Sequence, residues 1–208
     1  LKQIIVRLVP RRILTPALST YHFLFAWGSA FRYGFPAKKL FVIGVTGTKG
    51  KSTTTEMVNA ILEEAGYKTA LSNTIRFKIA KESKPNLYKM SMPGRGHLQK
   101  FLSEALREEC THVIMEITSE GARQFRHVGI PLDVLIFTNI AREHIESHGS
   151  YANYVAAKVT LARSLEKGAA HTHTIVANRD DAEAEKFLSV RVGKKLTFGI
   201  DDAKPFTS

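Results

Sequence analysis

From residue 40 onward the chain alternates between two kinds of hydrophobic spacing, and each predicts a different element. Leu40-Phe41-Val42-Ile43-Gly44-Val45 is a continuous, largely β-branched apolar run, the pattern of a strand buried on both faces. Residues 52–65 switch to helical spacing and close at Gly66. The same exchange recurs downstream. Strands are expected over 68–72, 111–117, 133–139, 174–178 and 195–200, with helices over 98–109, 151–165 and 181–188. Strands alternating with helices predict an α/β fold, a mostly parallel sheet with flanking helices. Polar residues cluster where the strands end, at the edge where open parallel sheets bind ligands.

The first 38 residues depart from this pattern. Lys2, Arg7, Arg11 and Arg12 surround Ile4, Ile5, Leu8 and Val9, and Pro10 and Pro16 are expected to interrupt any long helix. Tyr21, Phe23, Phe25, Trp27, Phe31, Tyr33 and Phe35 then crowd a short segment. Ile13 to Phe31 carries no formal charge, but Pro16, Ser19, Thr20, His22, Gly28 and Ser29 dilute it. Packing on protein, lying on a membrane surface and crossing a membrane are the three readings of such a stretch. The expected division is a basic, aromatic helical segment over 1–38 and a nucleotide-binding domain over 39–208.

Charge and cysteine content narrow the chemistry. A formal charge of +11 points to anionic partners, while no zinc-ligand spacing or aromatic-studded motif indicates nucleic acid. One cysteine, Cys110, excludes an internal disulfide framework, suits a reducing cytoplasm and reads as buried filler.

The strongest signal follows the first strand. In Gly47-Thr48-Lys49-Gly50-Lys51-Ser52-Thr53 a glycine turn leads into a helix, which turns backbone N–H groups and a helix N-terminus toward phosphate. Lys51 is placed to reach the β- and γ-phosphates and Ser52 to hold Mg²⁺. Val45 stands where the standard loop has its first glycine, so this is a variant loop. Glu116 ends an apolar strand and is suited to hold the same ion. His144 follows the strand at 133–139, yet imidazole is not a typical Mg²⁺ ligand. Lys158, on local sequence alone, reads as an exposed helix lysine.

Taken in order, Gly-Thr-Lys-Gly-Lys-Ser, Glu-Ile-Thr-Ser-Glu, Thr-Asn-Ile-x-x-Glu-His-Ile-x-x-His-Gly and Tyr-x-x-Ala-Lys resemble the central ATPase domain of the Mur ligases, over about residues 40–200. Within that family the resemblance leans to the tripeptide synthetase branch. It implies a cytoplasmic, monomeric, ATP- and Mg²⁺-dependent ligase of peptidoglycan precursor synthesis. The free carboxylate of a UDP-muramoyl-peptide is phosphorylated, and an amino acid's amine then attacks the acyl phosphate. Carried over residue by residue, Gly47 through Thr53 with Asn139 bind nucleotide, and Ser52 and Glu116 hold one Mg²⁺. His144 and Lys158, the latter as a carbamate, serve a second. Asn73, Thr74, Ser91, Thr118, Ser119, Gln124 and Arg126 match substrate-side positions, and Asn178, Asp180 and Asp181 match a structural or nucleotide-proximal element.

Ser91-Met92-Pro93 replaces the family's Thr-Thr-Pro, Glu120 a usual histidine and Glu143 a usual aspartate. The resemblance also implies that a substrate-gripping domain and an amino-acid-recognising domain lie outside these 208 residues, as in a fragment. Two alternatives stand beside it: folylpolyglutamate synthetase, with the same chemistry on another acceptor, and a catalytically silent nucleotide-binding module.

Overall fold

Strand β1 (Phe41–Thr46) is buried from Val42 onward and pairs in parallel on both sides. With it, β2 (Thr69–Ser72), β3 (Arg76–Ile79), β4 (Glu82–Pro85), β5 (His112–Glu116), β6 (Val134–Phe137), β7 (Thr174–Asn178) and β8 (Lys194–Phe198) form one sheet, ordered β4-β3-β2-β5-β1-β6-β7-β8. Only the β2–β3 and β3–β4 pairs are antiparallel. The computed structural model describes residues 11–88, 90–94, 96–143, 148–167 and 172–203.

Register determines where the chemistry sits. Val45 lies opposite both Glu116 of β5 and Ile136 of β6, so the segments leaving these three strands emerge together. Because β5 follows β2 in sequence yet inserts between β2 and β1, the connections diverge here, and a crevice opens at this switch point.

Alternate side chains of the central strands feed two cores. Ile43, Val45, Leu71 and Ile114 meet Val58 and Leu62 of α2 (Lys51–Glu64). Val42, Val113, Met115, Leu135 and Phe137 face the other way, against α3 (His97–Arg107) and α5 (Tyr151–Ser164). Short α4 (Ser119–Arg123) follows β5, and α6 (Ala184–Leu188) stacks Phe187 on Phe137 with ring centroids 3.9 Å apart.

The expected strands and helices are present with small shifts at their ends. The helix expected from 181 begins only at Ala184, because the Asp181 carboxylate accepts from the Glu183 N–H at 2.9 Å and holds the preceding turn open. The last strand stops at Phe198, and Ile200 enters a 3-10 turn.

One expectation is overturned. Residues 11–32 form a single 22-residue helix, α1, which runs through Pro16. Proline near a helix start removes only one hydrogen bond from an early turn, which the remaining turns outweigh. The helix docks through Ala30, fully buried against Gly129. A Cβ at Gly129 would lie 2.5 Å from that of Ala30, and φ there is +76°, so glycine permits the approach. Among the described residues no helix is long and apolar enough to cross a membrane.

Candidate active site

The loop after β1 is moored to the segment leaving β6. A Cβ at Gly47 would sit 1.9 Å from Thr138 Oγ1, so only glycine lets the two segments touch. Thr48 N–H donates to Asn139 O (2.8 Å) and Lys49 N–H to Asn139 Oδ1 (2.9 Å). Asn139 Nδ2 and Thr138 Oγ1 both donate back to Lys49 O, at 3.0 and 2.8 Å. Asn139 therefore shapes the loop from outside.

Behind it, Asn178 Nδ2 donates to Thr138 O (2.9 Å) and Asp181 Oδ2 accepts from Ile140 N–H (2.7 Å). Asp180 accepts instead from Ile200 N–H (2.7 Å). Asn178 and Asp181 thus brace the loop's support, and Asp180 does not. Gly50 then caps α2, whose first turn carries Lys51, Ser52 and exposed Thr53.

Glu116 is the hub. Its carboxylate is buried, and an unpartnered charge there would be costly. Instead Oε2 accepts from Ser52 Oγ (2.8 Å), Thr74 N–H (3.1 Å) and Thr74 Oγ1 (3.0 Å), and Oε1 accepts from Ser91 Oγ (2.7 Å). Lys51 Nζ lies 3.8 Å from Oε1 and donates to Thr48 O at 2.8 Å. Burial lowers the Lys51 pKa, while Glu116 and Glu143 oppose the shift. Ser52 of the loop helix and Thr74 and Ser91 of two other segments thus meet on one carboxylate.

Lys158 is not the exposed helix lysine its neighbours suggest. It is 1% exposed, and its Nζ donates to Gly47 O at 2.7 Å and lies 4.9 Å from the centre of the Tyr154 ring. Desolvation, aided by the Lys51 charge and opposed by Glu116, lowers its pKa to about 7. Tyr154 Oη in turn meets Thr48 Oγ1 at 3.0 Å, and Thr48 Oγ1 accepts from Ala141 N–H at 2.9 Å. Tyr154, Thr48 and Lys158 tie α5 to the underside of the loop.

The other expected positions separate into groups. Asn73 is buried, donating to Thr55 Oγ1 and Glu56 Oε1 and accepting from the N–H groups of Ile75 and Arg76. Thr118 caps α4 through Gly121 N–H, and Ser119 Oγ pairs with His148 Nε2 at 3.1 Å. Gln124 and Arg126 lie further out, with Arg126 donating to Met92 O and to Gln124 Oε1. His144 falls outside the described residues. Tyr154 and Thr138 stand in the quoted motifs without a role of their own, because the contacts that give them one reach the loop from 89 to 106 residues away.

The groups present fit a magnesium nucleotide. Ser52 Oγ and Glu116 Oε2 are hard oxygen donors 2.8 Å apart. No cluster of three His, Cys, Asp or Glu occurs among the described residues. Mg²⁺ takes one or two protein ligands and completes its shell with phosphate and water. Loop, helix N-terminus, lysine and hydroxyl–carboxylate pair together define a P-loop nucleotide-binding α/β domain.

Comparison with known proteins makes the assignment finer. The chain matches the Mur ligase middle domain over residues 45–207, and it belongs to that family. It is 34% identical to the UDP-N-acetylmuramoyl-L-alanyl-D-glutamate–2,6-diaminopimelate ligase of Clostridium botulinum over 169 residues, 81% of this chain and 33% of that one. It is 36% identical to UDP-N-acetylmuramyl-tripeptide synthetase 2 of Oceanobacillus iheyensis over 177 residues, 84% of this chain and 35% of the relative. The chain thus spans about a third of the length of these relatives.

Among solved structures, a diaminopimelate ligase of the same type superposes with a TM-score of 0.67 at 23% identity, over 79% of this chain and 33% of that one. A Mycobacterium tuberculosis folylpolyglutamate synthase complexed with ADP and AMPPCP gives 0.64 at 15% identity, over 85% of this chain and 46% of its own. At such identities these likenesses bear on fold.

Proposed function

We propose that this chain is the ATP-binding part of a ligase that joins an amino acid to the carboxylate of a UDP-muramoyl-peptide through an acyl phosphate. The observation that carries the reading is the Glu116 hub. One buried carboxylate holds Ser52 and neighbours Lys51 on the phosphate side, and holds Thr74 and Ser91 on the other. Phosphoryl transfer between two anions needs alignment and neutralisation more than covalent help from the protein. Lys51 and the loop N–H groups meet the triphosphate, while Thr74 and Ser91 face the acceptor. Mg²⁺ held by Ser52 and Glu116 would neutralise charge on the phosphates.

Lys158 is assigned as a carbamate. Burial leaves a substantial fraction of its amine neutral near pH 7, and the neutral amine is the form that adds CO₂. The product is an anion that retains one N–H for Gly47 O. It would supply oxygen ligands for a second Mg²⁺, the ion that the family resemblance also gives to His144.

The test is ADP release by the full-length enzyme given ATP, a UDP-muramoyl-dipeptide and candidate amino acids. Release that requires the muramoyl acceptor supports the ligase. Release with a folate acceptor favours the folylpolyglutamate alternative, and nucleotide binding without turnover favours a silent module.

A second observation concerns location. No acidic residue precedes Glu56, while nine Lys and Arg do. Leu24 (60% exposed), Trp27 (50%) and Phe31 (67%) share the outer face of α1 at spacings of three and four. Aromatic and aliphatic side chains flanked by cations suit the interface of an anionic membrane. We assign the protein to the cytoplasm as a monomer, resting on the inner membrane face through residues 1–38.

A further inference from the structure

The second histidine of Glu-His-Ile-x-x-His-Gly, His148, and the tyrosine of Tyr-x-x-Ala-Lys, Tyr154, meet in the interior of the protein. Both are buried, and their ring centroids lie 5.2 Å apart. Polar side chains that give up water are retained where they find partners. Here the two partners belong to different banks of the crevice.

On one side, His148 Nε2 pairs with Ser119 Oγ at 3.1 Å. Ser119 opens α4, just beyond Glu116, and is itself buried. On the other side, Tyr154 Oη pairs with Thr48 Oγ1 of the phosphate loop at 3.0 Å. Ser119, His148, Tyr154 and Thr48 thus form one buried path from α4 to the loop.

Helix α5 holds this path in place. Ser150 caps it by accepting from Asn153 N–H, and Asn153 Nδ2 donates to His148 O at 3.0 Å. The histidine is therefore fastened to the first turn of the helix that carries Tyr154. Tyr154 and Lys158 follow one turn apart and grip adjacent loop residues, Thr48 by its hydroxyl and Gly47 by its carbonyl. A hydrogen-bonded helix has a fixed rise, so α5 acts as a stiff spacer between α4 and the loop.

Spacing matters to a reaction between two bound anions. A carboxylate and the phosphoryl group it attacks must lie in contact and in line, and a misplacement of about 1 Å costs on the order of a hundredfold in rate.

We propose that His148 and Tyr154 are positioning residues, which together with α5 set the separation between α4 and the loop that holds the triphosphate. The proposal rests on the ligase reading for the acceptor that α4 faces. The path itself is independent of what that acceptor is.

Two measurements on the full-length enzyme test it. In steady-state ligation, His148→Phe keeps a ring beside Tyr154 and loses the bond to Ser119. Its kcat is expected to fall roughly five- to twentyfold, as for one buried hydrogen bond, with KM for ATP within about twofold of the wild type. Ser119→Ala removes the same bond with a smaller change of shape, and should give a matching loss that the double variant does not deepen. His148→Gln, whose amide can reach Ser119, should recover part of the rate. Retained AMPPCP binding shows that each variant folds. An unchanged kcat in Ser119→Ala, losses that add in the double variant, or a loss confined to KM for ATP overturns the proposal.

The second measurement needs no acceptor. AMPPCP with Mg²⁺ should shift the His148 imidazole resonances, and Tyr154→Phe should remove most of that shift while still binding the nucleotide. Equal shifts in the two proteins, or none in the wild type, overturn the link between loop and histidine. The ligase reading fails separately, through absent acceptor-dependent ADP release, and the resonance shift is scored whether or not it does.

Discussion

Lys158 Nζ and Gly47 O, 111 residues apart in sequence, lie 2.7 Å from each other, so a lysine amine supports the turn of the phosphate loop from beneath. The same amine is buried, with a pKa near 7.

That value has a consequence for stability. A lysine in the unfolded chain titrates near 10.4. Below about pH 7 both states carry the proton, and the cost of burying the charge is felt in full. Between the two pKa values the unfolded chain holds the extra proton, so stability rises with pH by up to about 1.4 kcal/mol per unit. Above the unfolded pKa the cost is gone. In buffer freed of CO₂, where the amine is unmodified, melting curves from pH 7 to 9 are expected to rise relative to those of Lys158→Met, whose curve lacks this component. Parallel curves would show that Lys158 does not titrate in that window.

Carbamylation predicts a signature of its own. In ¹³C-bicarbonate the wild-type protein should show a carbamate carbon resonance that Lys158→Ala lacks. In the full-length enzyme, Lys158→Ala is expected to abolish ligation. Bicarbonate should fail to rescue it, while a small carboxylic acid restores part of the rate. Undiminished activity in the alanine variant removes Lys158 from the site.

Lys51→Ala should weaken ATP binding without unfolding the domain. Loss of a charged hydrogen bond to phosphate corresponds to roughly ten- to a hundredfold in affinity. Calorimetry measures this, and unchanged affinity would mean that the loop does not grip the triphosphate.

Glu116→Gln keeps the shape of the hub but removes its charge. Mg²⁺ should then strengthen nucleotide binding much less than in the wild type, while binding in EDTA changes little. Equal Mg²⁺ enhancement in both proteins places the ion elsewhere.

The outer face of α1 makes a prediction about lipid. Replacing Leu24, Trp27 and Phe31 together by serine should abolish co-sedimentation with phosphatidylglycerol vesicles. Salt should weaken wild-type binding, and pure phosphatidylcholine should capture little protein. Indifference to vesicle charge would argue for a protein partner on that face.

The central strands were legible because strands buried on both faces read as unbroken apolar runs. The β3–β4 hairpin was not, since lysines and a glutamate recur through 76–85 and β4 is exposed throughout. Lys158 reads as exposed when its charge is weighed before its position, and only the family resemblance places it at the site. Val155, Lys158, Leu161 and Ala162 form one buried stripe of α5 at helical spacing, a signal present in the sequence and outweighed by residue type. The loop motif named Lys51 and Ser52 directly, whereas the bracing by Thr138, Asn139 and Asp181 depends on β6 lying between β1 and β7.

Glu116 answers to both banks of the crevice. A ligand that draws Ser52 away from the carboxylate leaves its oxygens to Thr74 and Ser91, and a ligand that engages those hydroxyls leaves them to Ser52. The two banks thus share one set of acceptor oxygens, so an arrival at either changes what the other meets without a hinge moving.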